Sequence, residues 1–282
     1  MVRAPSRLSL VRRCELIGLA RSVLYDKPKP APDEAALVKR IEELASDPSF
    51  NGRRRTTEQL HREGFVVNHK KVGRIRREKW LLPRRKRRWV VTTDSRHGLP
   101  VYPNLLKGLE PTGPDQAWVA DITYVALVRG FVYVAVILDR WSRRAVGWAI
   151  GERIDAELTL AALRQAIRTR RPVPGTIHHS DRGVQYAAED YVKELKEHGF
   201  RISMSRRGNP YDNAWAESFM STLKRECVLL WEYRDVGDVL ARIPEFIEDV
   251  YNTKRLHSAL GYLPPAEFEA LNQAQVAAQV AN

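Results

Sequence analysis

Asp121, Asp181 and Glu217 are the residues whose types and spacing can do chemistry in this chain. They stand in WVADITYV, HHSDRGVQY and NPYDNAWAESF. The first two are 60 positions apart, and the second and third enclose 35 residues (217 − 181 − 1). A triad of carboxylates is what a protein needs to hold two divalent cations for phosphodiester chemistry. Such metals lie roughly 3.5–4 Å apart and clamp the attacking and leaving oxygens of an in-line displacement. Mg²⁺ prefers hard oxygen ligands and keeps several waters, so two or three carboxylates suffice.

Each acid also has a plain structural explanation. Asp121 could be a buried, hydrogen-bonded Asp, although strand interiors disfavour Asp and an uncompensated charge there is costly. Asp181 could be a turn residue beside Gly183, although strand ends are where sites form in open α/β sheets. Glu217 alone reads as a solvated helix face. Their joint motif context, not any single residue, singles them out. Competing acids have simpler expected roles: Asp139 as a turn acid pairing with Arg140 or Arg143, and Asp212 as a helix cap. His178 and His179 are expected to pack or hydrogen-bond near a site. Trp118, Trp141, Trp148 and Trp215 are expected mostly in the core, with base stacking as the alternative.

The positioning elements follow from periodicity. Residues 33–46 place Leu37, Ile41 and Leu44 at helical spacing with Asp33 as cap, after a linker marked by Pro28 and Pro30. Thr56 with Gln59 resembles a capping box, and Gly64 ends that helix. Asn68 caps a second helix through Lys79, with Val72 and Ile75 inward. This is helix-turn-helix grammar, with the basic second helix as groove reader. Strands are expected at WVADITYVAL, FVYVAVIL and AVGWAI, then at Thr176–His179 and Arg201–Ser205. Helices are expected over 157–170, 187–198, 213–229 and 235–251. The order β-β-β-α-β-α-β-α-α is a mixed sheet with helices on its faces.

Charge divides the 282 residues unequally. Residues 1–115 hold 26 Lys and Arg against 13 Asp and Glu, so they carry the whole net charge of +13; residues 116–282 hold 21 of each. A polyanionic partner for the first part is implied. The candidate phosphate contacts are Arg53, Arg54 and Arg55, then Lys70, Lys71, Arg74 and Arg77 on the second helix, then Arg84, Arg85, Lys86, Arg87 and Arg88. Cys14 and Cys227 are the only cysteines, which argues against a disulfide framework or zinc finger. No apolar run reaches membrane-spanning length, so a cytoplasmic, nucleoid-associated protein is expected.

WVADITYV, HHSDRGVQY, NPYDNAWAESF and YNTKRLHSALGY occur in that order. Over roughly residues 50–268 the chain resembles bacterial insertion-sequence transposases with a retroviral-integrase-type core. The resemblance implies a ribonuclease-H-like α/β fold, a mixed five-stranded sheet with flanking helices, preceded by a small all-α helix-turn-helix domain. It implies an Asp-Asp-Glu site for two Mg²⁺ ions, with Mn²⁺ as substitute, on Asp121, Asp181 and Glu217. It also implies that Lys224, two helical turns past Glu217 and on the same face, contacts element DNA. Two blocks depart from the family: its Tyr-Gly is replaced in Phe50-Asn51-Gly52-Arg53, and its Arg-Pro-His by Arg255-Leu256-His257.

The expected division is 1–88 for DNA binding, 89–115 as linker, 116–270 as catalytic core and 271–282 as a frayed tail. The expected activity is metal-dependent cleavage and strand transfer at insertion-sequence ends, with terminal inverted repeats and target DNA as partners. A homo-oligomer is expected, since both ends must be held together, as is fusion to or cooperation with an upstream-frame helix-turn-helix protein. The rivals are a nuclease of the same fold that does not join strands and a catalytically silent DNA-binding regulator.

Overall fold

The computed structural model describes residues 8–20, 34–50, 52–81, 99–206 and 210–280. The chain divides into two compact units, Met1–Arg40 and Ile41–Asn282. In the first, Ser9 caps a short helix, Leu10–Leu16 (α1), its hydroxyl accepting from Arg12 N at 3.3 Å. The next helix, Ala35–Ser46 (α2), buries Ile41 and Leu44 at the predicted helical spacing. Asp33, Pro28 and Pro30 lie outside the described residues.

Arg53–Arg62 (α3) and His69–Glu78 (α4) form the expected helical pair. Leu60, Val72 and Ile75 are buried. Asn68 caps α4, its side chain accepting from Lys70 N at 2.7 Å. The capping box at Thr56 does not form. The helix starts four residues earlier, with Gly52 at the cap position, because arginine is a good helix former and continues the turn backward. Thr56 is buried inside that turn. Its hydroxyl faces Phe50 O at 3.0 Å and accepts from the buried Arg76 guanidinium at 3.1 Å. Gln59 donates instead to Glu63.

Ala117–Ala126 (β1), Phe131–Asp139 (β2) and Ala145–Gly151 (β3) make an antiparallel meander. Ile177–Ser180 (β4) and Arg201–Met204 (β5) add in parallel on the other side of β1. Among the described residues the five strands form one mixed sheet, in the order β3-β2-β1-β4-β5. β2 is apolar on both faces, as a central strand must be when helices cover both sides.

Ala156–Arg170 (α5), capped by Asp155, covers one face together with Val184–Ala187 (α6) and Glu189–Glu197 (α7). Ala214–Glu226 (α8) and Val236–Glu245 (α9) cover the other. α8 stops at Glu226 and passes into a 3₁₀ turn, Val228–Leu230, rather than continuing to Leu229. The helix expected over 235–251 changes geometry beyond Pro244, which brings no N–H to an α-helical ladder; Phe246–Asn252 winds as a π-helix.

The segment expected as a tail begins inside a helix. Pro265–Val280 is a helix (α10), and the buried Glu269 anchors it. That carboxylate accepts from Ser142 Oγ at 2.6 Å, Arg144 at 2.8 Å and Arg170 at 2.8 Å. The low-complexity run hid an anchor that lies upstream of it.

Gly147 on β3 lets α5 approach the sheet. A Cβ there would lie 2.4 Å from Ala162 O and 2.7 Å from Ala166 Cβ. Gly147→Ala is expected to cost about 2–3 kcal/mol through overpacking. Thermal unfolding checks this, and an unchanged Tm would refute so close a contact.

Candidate active site

Parallel pairing brings two of the three acids together. β1 and β4 pair Trp118 with His178 and Val119 with His179. Two more steps of that register bring Asp181, the first residue beyond β4, alongside Asp121 in the middle of β1. Neighbouring strands run about 4.8 Å apart. Asp121 alternates with Val119 and Val125, which face the core cluster containing Ala216, Phe219, Met220 and Leu223 of α8. It therefore projects to the side of the sheet that α8 covers. Asn213, just before α8, donates from Nδ2 to Ala120 O at 3.3 Å and ties the start of that helix to the residue before Asp121. Glu217 lies in the first turn of α8 and is exposed, whereas Asp121 and Asp181 are half-buried.

Asp121 feels the charge of both other carboxylates. Asp121 is pushed up to about 7, first by burial, then by the negative charge of Asp181, with a smaller push from Glu217. The Ile122 amide, donating to Asp121 Oδ1 at 2.9 Å, and the Lys224 ammonium pull the other way. Burial also raises Glu217. Asp181 Oδ1 accepts from Gly183 N at 2.9 Å, which fixes its turn. All three are hard oxygen donors, and mutual repulsion is what a bound cation relieves, so the donor set suits a hard divalent metal. Among the described residues no three His, Cys, Asp or Glu side chains stand close enough to hold an ion as they are.

Lys224 is half-buried, with its Nζ 4.7 Å from the Tyr124 ring centroid and within the field of Asp121. Asn213 and Tyr186 were not anticipated. The Asn at the helix cap position was the available signal for the first. Tyr186 had none: its buried hydroxyl has no hydrogen-bond partner and lies in the field of Asp121 and Asp181.

The competing acids are occupied, though not as expected. Asp139 forms no pair with Arg140 or Arg143. It is fully buried and accepts from the amides of Asp115 (2.6 Å), Trp141 (2.9 Å) and Ser142 (2.7 Å); burial raises it to about 6. Asp212 does not cap α8. It holds Arg206 through backbone and guanidinium contacts of 2.8–3.0 Å, which keep its carboxyl well below the usual range. His179 bridges Ser203 and Ser205, and His178 meets Tyr191 Oη at 2.9 Å. Burial lowers the two histidines to about 4 and about 3, so both are neutral packing groups. Trp118 is buried, Trp141 and Trp148 are half-buried, and Trp215 is exposed.

On α4, Lys70 and Arg77 are exposed, Lys71 is half-buried, and the exposed Arg74 pairs with Glu78 at 2.9 Å. Arg53 and Arg54 are exposed; Arg55 is half-buried and bound to Glu226. Arg84, Arg85, Lys86, Arg87 and Arg88 lie outside the described residues.

A carboxyl whose folded pKa exceeds its unfolded value destabilises the fold as pH rises between the two. For Asp121 that window runs from the ordinary 3.8 to about 7. At pH 8 without divalent cations, Asp121→Asn is expected to stabilise the protein by up to about 3 kcal/mol, discounted for partial exposure. The gain should shrink toward pH 5, and parallel Tm curves for the two proteins would contradict the coupling.

Residues 111–210 match an integrase core domain, residues 198–265 match a second integrase core family, and residues 32–89 match an HTH-like domain. The chain is 41% identical over 263 residues to a 31 kDa protein of insertion element IS600 from Shigella sonnei, covering 90% of this chain and 96% of that one. It is 39% identical over 224 residues to transposase InsF of insertion sequence IS3A from Escherichia coli, covering 79% and 78%. The IS904 transposase of Lactococcus lactis is 37% identical over 219 residues, covering 77% and 87%. A chain of the simian T-cell lymphotropic virus intasome aligns with TM-score 0.49 and 14% identity over 79% of this chain and 74% of that one. The chain belongs to the insertion-sequence DNA transposases that carry an integrase core.

Proposed function

We propose that Asp121, Asp181 and Glu217 catalyse cleavage and joining of DNA strands at insertion-sequence ends. The observation that carries this is the β1–β4 register, which sets Asp181 alongside Asp121 and leaves Asp121 in the field of both Asp181 and Glu217. The residues would hold divalent cations, Mg²⁺ or Mn²⁺, with Asp121 between the other two. Bound there, the metals would activate a water or a DNA 3′-hydroxyl and offset charge at phosphorus. Asp121 and Asp181 supply the rigid part of the donor set, one inside a strand and one in a turn fixed by Gly183 N. Glu217, exposed on a helix, supplies the adjustable part.

The remaining roles divide along the chain. Residues 1–88 hold DNA through phosphate contacts, 89–115 connect, and 116–270 carry the reaction on terminal repeats and target DNA. Lys224, on the stripe of α8 that bears Glu217, meets element DNA after leaving Tyr124. The transposase works as a homo-oligomer and cooperates with an upstream-frame product. No helix among the described residues is long and apolar enough to cross a membrane.

Strand transfer on labelled element ends tests the assignment. Asp121→Asn and Glu217→Gln should each lower product by at least about 10³-fold, since phosphodiester cleavage relies wholly on catalysis. Near-normal joining by either variant ends it. Cut but unjoined ends from the wild type would favour the nuclease, and no metal-dependent cutting would favour the silent regulator.

A further inference from the structure

α8 has a second functional stripe. Glu217, Ser221 and Lys224 form one row at helical spacing; Ser218, Thr222 and Arg225 form the next, rotated by about 100°. The second row lines a cavity of about 520 Å³ that the triad does not enter. Its other walls are Gly52–Arg55 at the start of α3, Arg143 after β2, and Arg255–Tyr262 of the YNTKRLHSALGY block. Six arginines line it: Arg53, Arg54, Arg55, Arg143, Arg225 and Arg255.

Its charge is not balanced internally. Arg55 and Arg255 share one buried carboxylate, Glu226, at 2.8 Å each. Asp139, the acid in the lining, is already capped by amides. Arg53, Arg54, Arg143 and Arg225 have no ion pair among the described residues; Arg143 lies 5.6 Å from the Trp215 ring centroid. Two further observations point to an anion. Three arginines occupy the first turn of α3, the positive end of its dipole, with no acid in that turn and a glycine at the cap position. That arrangement opposes the usual preference for negative charge at a helix start and offers backbone N–H groups to a ligand. Buried His257, in the cavity lining, is lowered by burial first and then by the charges of Arg255, Arg143 and Arg55, three of the arginines that line the same cavity.

We propose that this arginine cavity is a binding site for a DNA backbone phosphate, held jointly by the first helix of the helix-turn-helix pair and the catalytic helix. It rests on the reading of the chain as a DNA-acting transposase. The cavity takes a phosphodiester by planar guanidinium contacts, Ser218 and Thr222 hydroxyls and the α3 N-terminus, without reading base sequence. Seating that phosphate places DNA one helix stripe from Glu217.

The test is binding by the full chain in EDTA, where no cleavage occurs, to an arbitrary duplex of about 30 base pairs across a salt series. The variant is Arg54→Gln with Arg225→Gln: both residues are exposed and unpaired with any acid, so the fold should hold. The slope of log affinity against log salt should fall by roughly two, with affinity down about tenfold or more near 0.1 M salt. The lysine pair, Arg54→Lys with Arg225→Lys, should restore most of the slope. Inorganic phosphate, against chloride at equal ionic strength, should raise the wild-type Tm by about 2 °C or more and leave the glutamine variant unmoved. Equal slopes for wild type and glutamine variant overturn the proposal. So does a phosphate response lost without change in slope, which would mark a site for the free ion rather than for DNA. Failure here with strand transfer still dependent on Asp121 would leave the catalytic assignment standing, and the reverse result would leave this site standing.

Discussion

The parallel register between β1 and β4 is the constraint on which the site depends. Side chains alternate along a strand, so a slip by one residue would turn Asp121 away from α8 and break its proximity to Asp181. The register is well held. Trp118 is buried and donates from Nε1 to Asp115 at 2.9 Å, while Arg170 holds that same carboxylate at 2.8 Å. His178 and His179, on the β4 side, are locked by Tyr191, Ser203 and Ser205. The histidines beside Asp181 thus have a structural role: they help set the position of the turn that presents it.

Two opposed charge imbalances lie on adjacent stripes of one helix. On one, burial first and then the negative charge of Asp181 and Glu217 push Asp121 to about 7. On the other, burial first and then the charges of three arginines lower His257 to about 2. Each arrangement costs stability in the isolated chain, and each would be relieved by a ligand of opposite sign: a cation for the first and, on the proposal above, a phosphate for the second. DNA with its metal ions carries both.

Much of this was legible in the sequence where local pattern and tertiary environment agree. The apolar run 131–138 could only be a central strand, and Asn68 before a basic helix announced its cap. The placement of Asp121 inside a strand, of Asp181 just past a strand tip and of Glu217 at a helix start was legible because each of these local settings is visible in the sequence. The failures share a cause: long-range partners decide them. Asp139 reads as a surface turn acid until the Asp115 amide, 24 residues away, is seen to reach it. Glu269 reads as an ordinary helical acid, yet it anchors α10 through Ser142 and arginines about a hundred residues upstream. The arginine cavity was invisible for the same reason, since its six cations come from four separate stretches of chain.

Glu226 shows how the parts are joined. It is the last residue of α8, buried, and held by Arg55 of α3 and Arg255 of the closing motif. A buried ion pair adds little net stability, because desolvating the charges offsets most of their attraction, while removing one partner strands the rest. The value of such a pair lies in geometry. With Asn213 tying the other end of α8 to Ala120, the helix is fixed at both ends, once to the strand that bears Asp121 and once to the helix-turn-helix pair. A rigid rod of 13 residues then carries Glu217 near one fixed end and Arg225 near the other. DNA held at the proposed arginine site would act on the same element that positions Glu217. That shared helix is a physical reason for the acidic and basic motifs to alternate along the second half of the chain rather than segregate.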